Sequence, residues 1–307
     1  MSNTNNTTIS PIVATFFRKL CKALKNPSLA LYYIKRKLIP SKKNIHLKSI
    51  FDCDFYQNNK DIIDYTKYNG LKIDEIKSKD LEYNVMAAYV KSGSTVIDIG
   101  ANIGFYTLGL SKLVGMSGFV YAFEPGPISF SILSRNIYAN SQILGDNVIL
   151  NKMAISDRDG KSNLFINTSG ESDNQIHHDT NCYEFNSEPP RPKIITDVTT
   201  LDSYFKNYEK DKISFIKCDA QGHEYYVLLG AKNLLTSSKD IVMLIEYAPY
   251  LKSWEKFTQD EFYTLIKTLE FKIFDMIDKD REVDNDYLKK NYGAHNIGKT
   301  TSLILRK

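Results

Sequence analysis

The chain has 307 residues, of which 42% are hydrophobic and 25% charged. That balance excludes intrinsic disorder, collagen-like repeats and disulfide scaffolds, and no apolar run reaches the ~20 residues of a membrane-spanning helix. The net charge of +4 conceals an asymmetry: residues 1–50 hold ten Lys/Arg and no Asp or Glu, which leaves 30 basic against 36 acidic residues in the remainder. Cys21, Cys53, Cys182 and Cys218 form no C-x-x-C pair. They read as reduced thiols of a cytoplasmic protein, not as a disulfide or zinc set.

In chain order, residues 1–10 are too polar to pack. Val13, Phe16, Phe17, Leu20 and Leu24, then Leu31, Ile34 and Leu38, recur at helical spacing around a break at Asn26-Pro27, with Lys and Arg on the other faces. Two readings fit residues 11–43: amphipathic helices at an anionic membrane surface, peripheral to it, or a helical hairpin packed on the body with its lysines in water. The basic leader 1–50 gives way to a helical lead-in, 51–92, closing at Met86–Val90 and stopped by Ser92-Gly93. Residues 93–307 then form one domain.

From Thr95 short apolar runs alternate with helical periodicity, the pattern of a parallel, doubly wound α/β sheet. Strands are expected at Thr95–Ile99, Phe119–Phe123, Val148–Leu150, Ile213–Cys218 and Ile241–Ile245. Thr258-Gln-Asp-Glu261 is a capping box opening a helix. Phe271–Ile277 and Thr301–Leu305 are two further strand candidates with no helix expected between them, so the chain should end in a β-hairpin.

The first strand runs through Asp98 into Gly100-Ala-Asn102-Ile-Gly104 and then a helix. Glycines there let a backbone approach a ligand closely, and the helix N-terminus adds amide donors. The dinucleotide pattern G-x-G-x-x-G is incomplete, and an acidic Asp98 suits a cationic amino-acid headgroup better than a pyrophosphate. Twenty residues after Gly104, Glu124 ends the second strand, placed to accept hydrogen bonds from two ribose hydroxyls. Adenosine joined to a cationic methionine end is S-adenosylmethionine (SAM). The competing reading is that Asp98 and Glu124 merely cap neighbouring loops.

The segments VIDIGANIGFYTLGLSKLVG, VYAFEPGP, TTLDSYF, ISFIKCDAQGHEYYVLLGA and IVMLIEYAP resemble, in this order over residues 80–250, the FkbM family of SAM-dependent methyltransferases. The resemblance implies a class I methyltransferase fold, Rossmann-like α/β with a seven-stranded, mostly parallel sheet and an antiparallel last strand. It also implies O-methylation of a sugar, glycan or natural-product hydroxyl. Asp98, Gly100, Asn102, Gly104 and Glu124 match the family's cofactor motif. Lys217, Asp219, Gly222 and Glu224 match its K-x-D-x-E-G-x-E motif, while Gln221 stands where an acid is common.

Methyl transfer from a sulfonium is an in-line displacement, and a sugar hydroxyl needs a base beside it. That base belongs at the carboxyl end of a central strand. Asp219 is the first choice, with His223 the candidate proton shuttle. Glu224 is a third candidate, or else a first-turn acid meeting the helix dipole. Glu246 ends the fifth strand.

Nucleic acid is the weaker acceptor class: the basic leader invites it, but no N-P-P-Y motif for amino methylation follows the fourth strand. A SAM-fold module without catalysis is the alternative of a different kind. Gly293-Ala-His-Asn-Ile-Gly298-Lys299-Thr300 fits the P-loop expression, yet no helix can follow it before the chain's strand-like tail, so a hairpin turn is expected. His177, His178 and Cys182 fall in a polar stretch, 167–195, that reads as a long loop and no metal site.

Overall fold

The computed structural model describes residues 45–58, 65–167, 174–177, 192–209, 212–251, 256–296 and 298–307. The readings made for residues 11–43 and for most of 167–195, including His178 and Cys182, lie outside the described residues.

Strands β1 (Ile45–Ile50) and β2 (Cys53–Asn58) form an antiparallel hairpin, so strand as well as helix fills the lead-in. Helices α1 (Ile73–Lys79) and α2 (Leu81–Tyr89) follow, Asp80 capping α2 by accepting from the Tyr83 N–H at 2.8 Å. Next come β3 (Thr95–Ile99), α3 (Phe105–Val114), β4 (Phe119–Phe123), α4 (Pro127–Ala139), the short α5 (Ser141–Leu144) and β5 (Val148–Asn151). Asn136 on α4 and Asn140 at its C-cap, one turn apart, meet the edge of β2: their side-chain oxygens accept from Tyr56 N and Asp54 N, and their amides donate to the same residues' carbonyls. Two side chains thus satisfy an otherwise open strand edge.

Strands β6 (Ala154–Ile155), β7 (Gly160–Phe165), β8 (Gln175–His177) and β9 (Lys193–Thr199) make a separate four-stranded sheet in the order β6-β9-β7-β8. The sequence pattern does not announce this sheet, and part of it occupies the stretch read as loop. After α6 (Leu201–Tyr204) come β10 (Ile213–Cys218), α7 (Glu224–Leu229), α8 (Lys232–Ser237), β11 (Val242–Tyr247) and α9 (Gln259–Thr268). Strands β12 (Lys272–Asp275) and β13 (Asp278–Glu282), helix α10 (Asn285–Tyr292) and β14 (Thr301–Arg306) complete the chain.

The main sheet runs β13-β12-β14-β11-β10-β3-β4-β5. Five strands from β5 to β11 are parallel, and β14 inserts antiparallel between β11 and β12. These seven are the expected class I sheet, with β13 added at the edge. The terminal hairpin is corrected: α10 separates β12 from β14, and β14, buried along nearly its whole length and apolar at Leu303, Ile304 and Leu305, takes an interior place. The P-loop-like segment is therefore a helix-to-strand connection, again with no helix after it. Alternation along β3 and β10 sends Ile97, Ile99, Ile216 and Cys218 into a core with α7, α8 and α9. Val96 and Phe215 face the opposite core, with α2, α3 and the β1–β2 hairpin.

Candidate active site

The order of the sheet reverses between β3 and β10, and a cleft opens there at the carboxyl ends of the strands. Its floor is the turn after β3. Gly100 N and Ala101 N both donate to Phe123 O at 3.0 Å, and Asp219 N donates to Ile99 O at 3.0 Å, so the ends of β4 and β10 pin the turn from either side. Gly100 is required twice over: its φ is +77°, and a Cβ would sit 1.8 Å from the Asp219 carbonyl oxygen. Gly104 caps α3 and packs on Leu133, behind the cleft.

Glu124 lines the cleft, with one carboxylate oxygen accepting from Asn102 N at 2.8 Å and the other from Gly126 N at 2.7 Å. Burial pushes its carboxyl up to about 7, against the pull of those two amides. Asn102 also lines the cleft, at φ +49°, and its side-chain oxygen is buried without a hydrogen-bond partner among the described residues.

Asp98 does not line the cleft. It is fully buried on the α3 side of β3, one oxygen accepting from Thr107 Oγ1 at 2.6 Å and the other unpartnered among the described residues. Burial raises its carboxyl, opposed by Lys217 and Thr107. The structure thus does not bring Asp98 to the cleft wall, where a direct headgroup contact was expected. Alternation places it inward, not at the mouth of the turn.

Lys217 pairs with Asp98 across the β10–β3 register and is 2% exposed. Its ammonium lies 3.2 Å from Asp219 Oδ2 and 4.7 Å from the centre of the Tyr106 ring. Burial pulls the ammonium down, but Asp219, Glu82 and Asp98 more than offset it and hold the lysine charged well above its ordinary range. Asp219 borders the cleft, its second oxygen accepting from Gln221 Nε2 at 2.7 Å. Gln221, at φ +52°, thus supplies a donor where the family pattern has an acid.

His223 lines the cleft from the N-cap of α7; its Nε2 is 3.0 Å from Ser156 Oγ and its ring stacks on Tyr226. Glu224 is 1% exposed and turned away from the cleft: one oxygen accepts from Ala220 N at 2.7 Å and Gly222 N at 3.2 Å. Burial pushes its carboxyl up to about 7, opposed by these amides. It braces the loop that presents Asp219 and His223 and is not among the residues lining the cleft. Glu246, raised well above the ordinary range by burial and then by Asp219 and Glu224, meets the Gln221 amide at 3.4 Å.

Sequence reasoning assigned no role to several lining residues: Lys217, Tyr65, Tyr106, Asn174 and Ile176. Only Lys217 carried a signal, as the first residue of the K-x-D-x-E-G-x-E motif. Tyr65 stacks on Phe105 at 4.7 Å, and Asn174 immediately precedes β8 of the second sheet. Those neighbours are set by tertiary structure alone. Among the described residues no group of His, Cys, Asp and Glu could hold a metal ion, and no helix is long and apolar enough to cross a membrane.

A parallel sheet of this strand order, cleft at its switch point and last strand reversed, defines a class I methyltransferase. The chain belongs to the FkbM methyltransferase family: the model of the methyltransferase FkbM domain matches residues 98–274. It is similar to methyltransferase sdnD of Sordaria araneosa, 25% identical over an alignment of 165 residues that covers 47% of this chain and 62% of that protein. The chain thus spans less than two thirds of that relative. Among solved structures it is similar to a SAM-dependent methyltransferase from Aquifex aeolicus, with TM-score 0.39 and 15% identity over 76% of this chain and 98% of the other. It is also similar to TYW2 of M. jannaschii in complex with AdoMet, with TM-score 0.40 and 13% identity over 87% and 86%.

Proposed function

We propose that the chain methylates a hydroxyl, taking the methyl group from SAM, with a glycan, a sugar-bearing metabolite or another natural product as acceptor. The observation that carries this reading is that one cleft joins Glu124 and the Gly100–Asn102 turn to Asp219, Lys217 and His223.

The residues present fit SAM. The turn leaves no room for a side chain at Gly100, and Asn102 offers a buried amide oxygen unpartnered among the described residues. Glu124 spends one lone pair of each oxygen on a backbone amide, which leaves a second on each for the ribose hydroxyls. Asp219, Glu82 and Asp98 all act on the single ammonium of Lys217. A field of that sign favours a cationic ligand and repels a pyrophosphate.

SAM supplies, when bound, a methyl carbon made electrophilic by its sulfonium. Asp219, one-third exposed at the cleft, orients the acceptor hydroxyl, while Lys217 and Gln221 fix its two oxygens. His223 receives the hydroxyl proton. The phenyl and phenol rings of Phe105, Tyr65 and Tyr106 form an apolar flank against which a sugar ring can lie.

Calorimetry with SAM tests the cofactor half. A hydrogen bond to a charged group contributes ~1.5–3 kcal/mol, so Glu124→Ala should weaken SAM binding roughly 10- to 150-fold. Unchanged affinity in a folded variant would remove Glu124 from the site. Labelled SAM incubated with fractionated glycans, lipids and RNA tests the acceptor: label entering RNA alone would overturn the saccharide reading.

A further inference from the structure

What holds the ring of His223 comes from the second sheet. Ser156 directly follows β6, and its N–H donates to Thr199 O at 2.9 Å, prolonging the β6–β9 pairing. Its carbonyl oxygen lies so close to Gly230 that a Cβ there would be 2.0 Å away. His223, Tyr226 and Gly230 are spaced three and four apart, on one face of α7, and Ser156 lies along that face. Ser156 is 1% exposed; its Oγ is 3.0 Å from His223 Nε2 and 3.1 Å from Asp157 Oδ1.

The protons in this array can be assigned from valence. A carboxylate only accepts, so the single hydroxyl proton of Ser156 goes to Asp157. The hydroxyl oxygen then offers the ring only lone pairs, and His223 must carry its proton on Nε2. The basic nitrogen of the neutral ring is accordingly Nδ1.

Resting on the reading that His223 takes up the acceptor proton, we propose that Ser156 and Asp157 are positioning residues that fix His223 as its Nε2–H tautomer and steady its imidazolium. As the acceptor oxygen bonds to the methyl carbon, the carbon–sulfur bond breaks with its electron pair passing to sulfur. The hydroxyl proton passes to Nδ1. The positive charge on the ring is then met through the Ser156 hydroxyl by the carboxylate of Asp157, which also lies 3.7 Å from Arg158 Nη1. Asp219 and Glu224 are charged groups on the same strand-end loop and helix start as His223.

Long-range 1H–15N spectra of the histidine rings in the full chain test this without an acceptor, with His223→Gln assigning the signal. The wild-type ring should show its proton on Nε2. Asp157→Ala frees the Ser156 proton to turn toward the ring, so the ratio of Nε2–H to Nδ1–H forms should fall about five-fold, the worth of one hydrogen bond. Asp157→Asn keeps an acceptor for Ser156 and should restore the wild-type ratio. Asp157 is part-exposed, so these variants should fold even if Ser156→Ala does not. An Nδ1–H ring in the wild type, or an unchanged ratio in Asp157→Ala, would overturn the proposal. SAM titrated into the same samples separates the two ideas: no binding by the wild type would sink the methyltransferase reading and leave the tautomer result standing.

Discussion

At the residue scale, one buried lysine serves several carboxylates, and Asp219 is the one it shares with the cleft. Asp219→Asn preserves shape but turns one hydrogen-bond-accepting oxygen into an NH2, facing either Lys217 Nζ or the Gln221 amide. Turnover should fall by roughly 10²–10⁴, because a hydroxyl no longer held by Asp219 loses both its in-line position and its approach to His223, while SAM affinity stays within a few-fold. Circular dichroism and calorimetry on the same sample separate a lost fold from lost chemistry, because weakening a buried ion pair also costs stability. Near-normal turnover with a true acceptor would remove Asp219 from the mechanism. The letters of this site were legible in the sequence, but side-chain direction was not. Asp98 and Glu224 match the family motifs yet point away from the cleft, because alternation on β3 and the loop before α7 turn them toward Thr107 and toward backbone amides.

At the scale of elements, the parallel strands were legible because burial on both faces makes them continuous apolar runs. The second sheet was not. Gly160–Phe165 begins with exposed residues, and β9 opens on the exposed Lys193, Ile194 and Ile195, so neither shows a clean two-residue period. Helix α10 escaped for a similar reason: only Leu288 and Tyr292 are buried in it. The second sheet nevertheless sets the site, since β6 delivers Ser156 to α7. Gly230 is the point of contact, at φ −82°, where alanine suffers no backbone strain. Gly230→Ala therefore costs by sterics alone: the Cβ must drive the Ser156 carbonyl away. A forced separation in a packed interior costs ~1–3 kcal/mol, so thermal unfolding should begin at lower temperature, and the His223 tautomer ratio should move with it. An unshifted midpoint would mean that the β6 loop yields freely and does not hold His223.

At the scale of the whole molecule, the described body buries carboxylates where it binds. Glu124 and Glu224, both near 7, gain protons on folding, because burial disfavours their charged forms relative to the unfolded value of 4.5. A raised carboxylate contributes stability that is fully present below 4.5 and is lost as pH rises through 7. Asp159, Asp260 and Glu261 are lowered instead, by hydrogen bonds first, and so titrate below this window. The apo protein should therefore lose stability between pH 5 and 8, by a few kcal/mol, since each tenfold change in proton affinity is worth about 1.4 kcal/mol. SAM binding should run the other way. The ribose hydroxyls and the cationic end favour ionised Glu124, whose population rises about ten-fold between pH 6 and 8 if it titrates near 7, so affinity should tighten by up to that factor. Glu124→Gln keeps the side chain's shape and cannot titrate. The ligand's own ionisation is common to both proteins and cancels in the comparison. Calorimetric titrations of wild type and variant across this range decide the matter: opposite slopes for stability and affinity, with the affinity slope flattened in Glu124→Gln, are expected, and equal affinity slopes in the two proteins would mean that Glu124 does not hold the cofactor in its ionised form.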